Sequence, residues 1–197
     1  MADKETTNFC TKMGHKIIDN QINIGILTVS DRASKGQYED LSGKCIISVL
    51  EEYLLSKWFP KYKLVPDHQE VIEQALLTMA QKDNCHLIFT TGGTGPAKRD
   101  VTVEATIAVC QKILPGFGEM MRFVSLLDVP TAILSRQTAG ILDECMIVNL
   151  PGKPSAIRVC MEAVFPAIPY GLDLIGAPFI ECNENYINIF RPQTHKK

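Results

Sequence analysis

Neither sign of charge is in surplus: 20 Lys and Arg stand against 22 Asp and Glu, a net charge of −2. Holding duplex nucleic acid by neutralising its phosphates needs a broad basic field, and this sequence has none. Uninterrupted apolar runs are also lacking; none approaches the ~20 residues that cross a bilayer. The seven cysteines, Cys10, Cys45, Cys85, Cys110, Cys145, Cys160 and Cys182, are odd in number, widely spaced and without a Cys-x-x-Cys pair. That pattern argues against a disulfide framework or a zinc site and reads as small core residues in a reducing cytoplasm. The four histidines, His15, His68, His86 and His195, have no His-x-x-x-His or His-x-Cys spacing. A histidine-built metal site is disfavoured, which leaves carboxylates as candidate ligands for Mg²⁺. Residues 1–21 are polar, lack the apolar core of a secretory signal, and read as a flexible arm.

What is present is a globular composition, 46% hydrophobic and 21% charged over 197 residues, enough for one domain with a substantial core. No composition break divides 22–197. The β-branched run from Ile22 to Ser30 predicts a buried strand, followed by a polar loop over Asp31 to Asp40. Leu41, Cys45, Ile46, Val49, Leu50, Tyr53 and Leu54 form a helical stripe. Tyr62 to Val65 predicts a second strand, and Asp67 with Glu70 matches the start of a further helix. His86 to Thr90 predicts a third strand leading directly into Thr91-Gly-Gly-Thr-Gly-Pro96. Helices are expected near Val103–Lys112, Glu119–Leu127 and Ser155–Phe165, with a short one near Tyr170–Leu174. Strands are expected at Pro130–Leu134 and Met146–Leu150. This alternation predicts a three-layer α/β/α sandwich around a mostly parallel sheet.

In open α/β sheets, ligands settle beyond the carboxyl ends of the strands. Four segments there carry chemistry: Ser30-Asp31-Arg32, Thr91 to Pro96, Ser135-Arg136-Gln137 and Leu150-Pro-Gly-Lys-Pro154. In the glycine loop, Gly92, Gly93 and Gly95 allow close backbone approach, while Thr91 and Thr94 offer hydroxyls. Such a loop is either an anion-binding nest or a tight turn; it lacks the Gly-Lys-Ser/Thr ending of a P-loop. Asp100 follows two cations, Lys98 and Arg99, and fits either a helix cap or a metal ligand. Asp67 fits the same two roles, and Asp31 fits a turn.

Taken in order, Ser30-Asp-Arg-Ala-Ser34 with Gly36, Pro66-Asp67, Thr90 to Thr102, Pro115 to Glu119, Ile133 to Gln137 and Asn149 to Gly152 resemble the molybdopterin adenylyltransferases of molybdenum cofactor biosynthesis, the bacterial MogA type most of all. The resemblance runs from about Ile22 to Pro192. It implies transfer of AMP from ATP to the phosphate of molybdopterin, with Mg²⁺ and release of pyrophosphate. By the same resemblance Asp67 and Asp100 are the essential acids, with Mg²⁺ as their metal. Ser30, Asp31, Thr91, Gly92, Gly93, Thr94 and Gly95 hold phosphate and nucleotide. Ser135, Arg136, Pro151 and Gly152 line the nucleotide and pterin groove. A homotrimer is implied, handing its product to a molybdate-inserting MoeA-like enzyme. Two departures stand out: relatives often have proline where this chain has Val103, and some insert a hairpin before the Pro-Tyr segment that here follows Phe165 directly. Two other functions fit the same sequence. One is a non-catalytic binding or scaffold module; the other is the MoaB-like or competence-damage-like branch of the fold.

Overall fold

The computed structural model describes residues 22–192. The arm expected over 1–21 and the last residues, 193–197, lie outside the described residues. Three strands buried on both faces organise the rest: β1 (Ile22–Val29), β3 (Cys85–Thr91) and β6 (Cys145–Leu150). Their side chains alternate between two cores. Ile22, Ile24 and Ile26 of β1, Leu87 and Phe89 of β3, and Met146 and Val148 of β6 face one. Leu27, Val29, Ile88 and Ile147 face the other. This alternation with period two, apolar on both faces, is what a central strand of a covered sheet requires.

The first core is closed by α2 (Leu41–Tyr53), α5 (Pro115–Leu126), α6 (Pro154–Val164) and α7 (Ile168–Leu174), through residues such as Ile46, Met121, Ile157 and Leu172. The second is closed by α3 (Gln69–Gln81) and α4 (Thr102–Val109), through Ile72, Leu76, Met79 and Ala105. The result is the expected three-layer sandwich. A one-turn helix, α1 (Asp31–Ser34), begins the segment expected as loop.

The sheet order is β2-β1-β3-β6-β5-β4, with β2 at Trp58–Val65, β4 at Lys112–Ile113 and β5 at Ala139–Leu142. Pairings from β2 through β6 are parallel, and β5 is antiparallel to both its neighbours. As an edge strand β2 tolerates Pro60, and Lys61 and Lys63 discourage pairing with another chain. From β1 the chain crosses to β2 on one side; from β3 it moves away on the other. The crevice between the carboxyl ends of β1 and β3 is therefore a topological switch point, where such sheets place ligands.

Several expected elements need correction: β2 begins at Trp58, ahead of Tyr62, and α4 ends at Val109, so that Lys112 falls in β4 instead of the helix. Pro130–Leu134 is a 3₁₀ helix and not a strand, with Ile133 and Leu134 exposed; its apolar residues do not face a core. The strand of this region is the short β5, joined to β6 by Asp143-Glu144, with Asp143 at φ 54°. Helix α5 also starts earlier than expected, at Pro115, because proline at the first helical position has no needed N–H to lose. The absence of proline at 103 leaves α4 intact: it opens at Thr102, with Val103 buried in its first turn.

Candidate active site

At the end of β1, the Ser30 N–H donates to the Val65 carbonyl at 2.9 Å, fixing this turn against β2. The Ser30 hydroxyl accepts from the Ala33 N–H at 3.3 Å and lies 2.8 Å from the Tyr38 hydroxyl. The turns after β1 and β2 then lock together. The Asp31 N–H donates to Asp67 Oδ2 at 2.7 Å, and the Asp67 N–H donates to Asp31 Oδ1 at 3.1 Å. Asp67 is therefore not the cap its spacing suggested: His68 holds the cap position of α3, without a capping side chain.

The glycine loop packs against these turns. Gly92 has φ 97°, and a Cβ there would lie 2.2 Å from the Val29 carbonyl oxygen. Gly93 has φ 63°; its Cβ would meet Thr102 Oγ1 at 2.2 Å and Asp67 Oδ1 at 3.5 Å. Side chains are excluded at both positions, which brings the loop backbone close to the carboxylates. Asp100 is not a helix cap either. Its Oδ2 accepts from the Ala97 N–H at 3.0 Å, while its own N–H donates to the Ala97 carbonyl at 2.9 Å. The third wall is the turn after β6. Thr91 Oγ1 donates to the Pro151 carbonyl, and Ser42 Oγ donates to that of Gly152, both at 2.8 Å.

These turns enclose a polar cleft of about 190 Å³. Asp67 and Asp100 line it from opposite loops, as do Ser30 and Asp31 from β1, Thr91 to Gly93 from β3, and Gly152 from β6. Thr94, Gly95, Ser135 and Pro151 instead line a wider groove of about 540 Å³ on the other side of the glycine loop. Arg136 lines neither cavity. Its guanidinium, expected to face substrate, is turned onto the protein, where it pairs with Glu104 and donates to the carbonyls of Gly95 at 2.8 Å and Asp100 at 2.6 Å. That pairing holds the Glu104 carboxyl below its ordinary range.

The cleft also holds residues beyond those assigned to it from the resemblance. Arg32 and Arg99 supply the cations, and Tyr38 stacks under the Arg32 guanidinium at 5.1 Å. Asp40 faces the cleft as well, but its carboxylate is fully engaged by Ser42, Gly43, Thr28 and Tyr62. Lys153 lines the wide groove. Arg32, Arg99 and Lys153 had a signal in the sequence, as members of the strand-end segments or as cations beside Asp100; Tyr38 and Asp40 had none as site residues.

The donor set suits a hard divalent cation. Asp67 and Asp100 each use one carboxylate oxygen to order a loop, leaving Oδ1 of each free of protein donors among the described residues. No group of three or more His, Cys, Asp or Glu gathers as a metal site among the described residues. A pair of carboxylates is a donor set that fits Mg²⁺, which takes one or two and completes its shell from water and substrate phosphates. Neither a thiol nor an imidazole lines the cleft among the described residues.

The profile of a known family, the probable molybdopterin binding domain, matches residues 25–170. The chain belongs to that family. All the cleft and groove residues named above fall within the matched span. Among relatives in this molybdopterin-binding family, the molybdopterin adenylyltransferase of Helicobacter pylori strain J99 is 59% identical over 172 residues, covering 87% of this chain and 98% of the relative. That of Haemophilus influenzae is 46% identical, covering 89% and 95%. Among solved structures, the molybdopterin biosynthesis enzyme MoaB of Thermus thermophilus matches with a TM-score of 0.73 at 40% identity, over 80% of this chain and 99% of that one. The Mog protein of Mycobacterium ulcerans matches at 0.72 and 33% identity, over 78% and 99%.

Proposed function

We propose that this chain is a molybdopterin adenylyltransferase, transferring AMP from ATP to the phosphate of molybdopterin with release of pyrophosphate. The observation that carries this is that Asp67 and Asp100, from separate loops, line one cleft with the glycine loop, each with an unengaged carboxylate oxygen among the described residues. In the reaction, a phosphate oxygen of the pterin forms a bond to the α-phosphorus of ATP. The bond from that phosphorus to the bridging oxygen breaks, and pyrophosphate leaves with the electron pair. A phosphate monoester is largely ionised at neutral pH, so the nucleophile needs no strong general base. Bringing two anions together is the harder task, and it calls for positioning and charge neutralisation.

The residues of the cleft are suited to it. Backbone N–H groups of the glycine loop, with Arg32 and Arg99, take up phosphoryl charge. Asp67 and Asp100 would hold Mg²⁺, which when bound screens the negative charge on the phosphates. The wide groove, with Ser135, Thr94 and Lys153 on its walls, has room for a ring system beside the phosphates. The protein works in the cytoplasm as a homotrimer and passes its product to a molybdate-inserting MoeA-like enzyme. No helix among the described residues is long and apolar enough to cross a membrane.

The test is incubation with ATP, Mg²⁺ and molybdopterin, following pyrophosphate and the mass of the pterin product. Asp100→Asn and Asp67→Asn are expected to fold and to lose most turnover. Wild-type turnover in both would remove the carboxylates from the chemistry. Ligand binding without pyrophosphate release in the wild type would leave a binding module.

A further inference from the structure

We propose that Arg136, oriented by Glu104, is a positioning residue that sets Asp100 in the cleft by clamping the loop carrying it at both ends. The inference rests on the role assigned above to Asp100. Between Gly95 and Asp100 the chain leaves the sheet, and its internal ties are the two contacts between Ala97 and Asp100. Those contacts shape the turn without anchoring it to the body of the protein.

Arg136 does anchor it. The Arg136 N–H donates to the Thr94 carbonyl at 2.9 Å, Nε to the Gly95 carbonyl at 2.8 Å and Nη2 to the Asp100 carbonyl at 2.6 Å. One planar group thus bridges the two ends of the loop. Glu104, in the first turn of α4, accepts from both terminal nitrogens of the guanidinium and fixes its plane. A lysine cannot copy this, because an ammonium is a point charge without the rigid fork of donors. The neighbours of Arg136 in sequence, Ser135 and Gln137, line the wide groove. The clamp therefore links the groove wall to the acid in the cleft. Supporting partners of this kind typically change metal affinity or activity by about 10–100-fold when removed.

Arg136→Gln, Arg136→Lys and Glu104→Gln are compared with wild type and Asp100→Asn in three measurements. The first is hydrogen exchange of the Ala97 and Asp100 amides. The second is Mn²⁺ binding in the presence of ATP, followed by electron paramagnetic resonance. The third is kcat and KM as a function of Mg²⁺ concentration. For Arg136→Gln the expected result is faster exchange at both amides, Mn²⁺ affinity and kcat about 10–100-fold lower, and KM for molybdopterin changed far less. Arg136→Lys and Glu104→Gln should fall between it and wild type. Unchanged exchange and Mn²⁺ affinity in Arg136→Gln would overturn the proposal, as would a large rise in substrate KM alone, which would make Arg136 a direct ligand contact. If Arg136→Gln does not fold, unaltered exchange and Mn²⁺ affinity in both milder variants would overturn it equally. Wild type inactive with ATP and molybdopterin would fail the adenylyltransferase reading, whereas the exchange result stands apart from activity.

Discussion

Gly93 holds φ 63°, and the place a Cβ would take lies 2.2 Å from Thr102 Oγ1. Two costs follow for Gly93→Ala. The left-handed backbone costs a non-glycine residue roughly 1–2 kcal/mol, and Thr102 or the loop must move to relieve the contact. The variant is expected to lose about that much stability in urea denaturation, and calorimetry should find weaker ATP binding. Adding Thr102→Ala removes the clashing hydroxyl but not the backbone cost, so the double variant should regain only part of each loss. ATP affinity unchanged in a folded Gly93→Ala would count against the anion cradle. A second residue-level effect concerns pH. The Tyr62 hydroxyl donates to Asp40 Oδ2 at 2.8 Å. Burial first, and then this bond to Asp40, push Tyr62 up from 10.0 to about 12. Between those values the unfolded chain releases the proton while the folded chain keeps it. The stabilisation is therefore complete below pH 10 and lost as pH rises toward 12. Urea midpoints taken across this range should fall more steeply for wild type than for Tyr62→Phe; parallel curves would show that the phenol is not coupled to folding.

Among the elements, β1, β3 and β6 were legible in the sequence because strands covered on both faces must be apolar throughout. Helices α2 and α3 were legible from their stripes. The two-residue β4 and four-residue β5 are too short for periodicity to register. Pro130–Leu134 misleads for a different reason: an apolar run marks a strand only where it is buried, and Ile133 and Leu134 are exposed. The candidate site divides along the same line. Its loops could be located because glycine, aspartate and serine punctuate strand ends. The engagement of Asp67 with Asp31, and of Arg136 with Glu104, depends on contacts made only after folding. Asn149 is a further case: the sequence marks it as a strand residue at the head of the Asn149–Gly152 motif, without showing what its side chain holds. Fully buried on β6, its side-chain amide donates to Thr90 Oγ1 on β3 and Thr106 Oγ1 on α4, both at 2.9 Å. It therefore joins the strand ahead of the glycine loop to the helix that follows it. Asn149→Ala should cost about 1–3 kcal/mol, because buried hydroxyls lose their donor. A double-mutant cycle with Thr90→Val checks this: strong coupling is expected, and simple additivity would mean that the bridge does not link the two elements.

At the scale of the whole molecule, the topology places the cleft between β1 and β3 and leaves a different face uncovered. On that face, made by α5, the segment after it and the 3₁₀ helix, Phe123 is 63% exposed, Leu127 75% and Ile133 67%. Phe165, by contrast, is fully buried in the core. Exposed apolar side chains on adjoining elements, as on α5 and the 3₁₀ helix packed against it, mark interaction sites on soluble proteins. Repetition of one chain around a closed axis covers such surface in every copy without leaving an open end. The homotrimer proposed for the protein is therefore expected to use this face, and light scattering at micromolar concentration should give about three times the chain mass of 21.9 kDa. Leu127→Asp combined with Ile133→Asp should shift the particle toward the single-chain mass, since a carboxylate buried between copies carries a large desolvation cost. These substitutions lie on an exposed surface, so the isolated chain should keep its circular dichroism. A wild-type mass near 21.9 kDa would refute the trimer, and an unchanged trimer in the double variant would move the contact to another face.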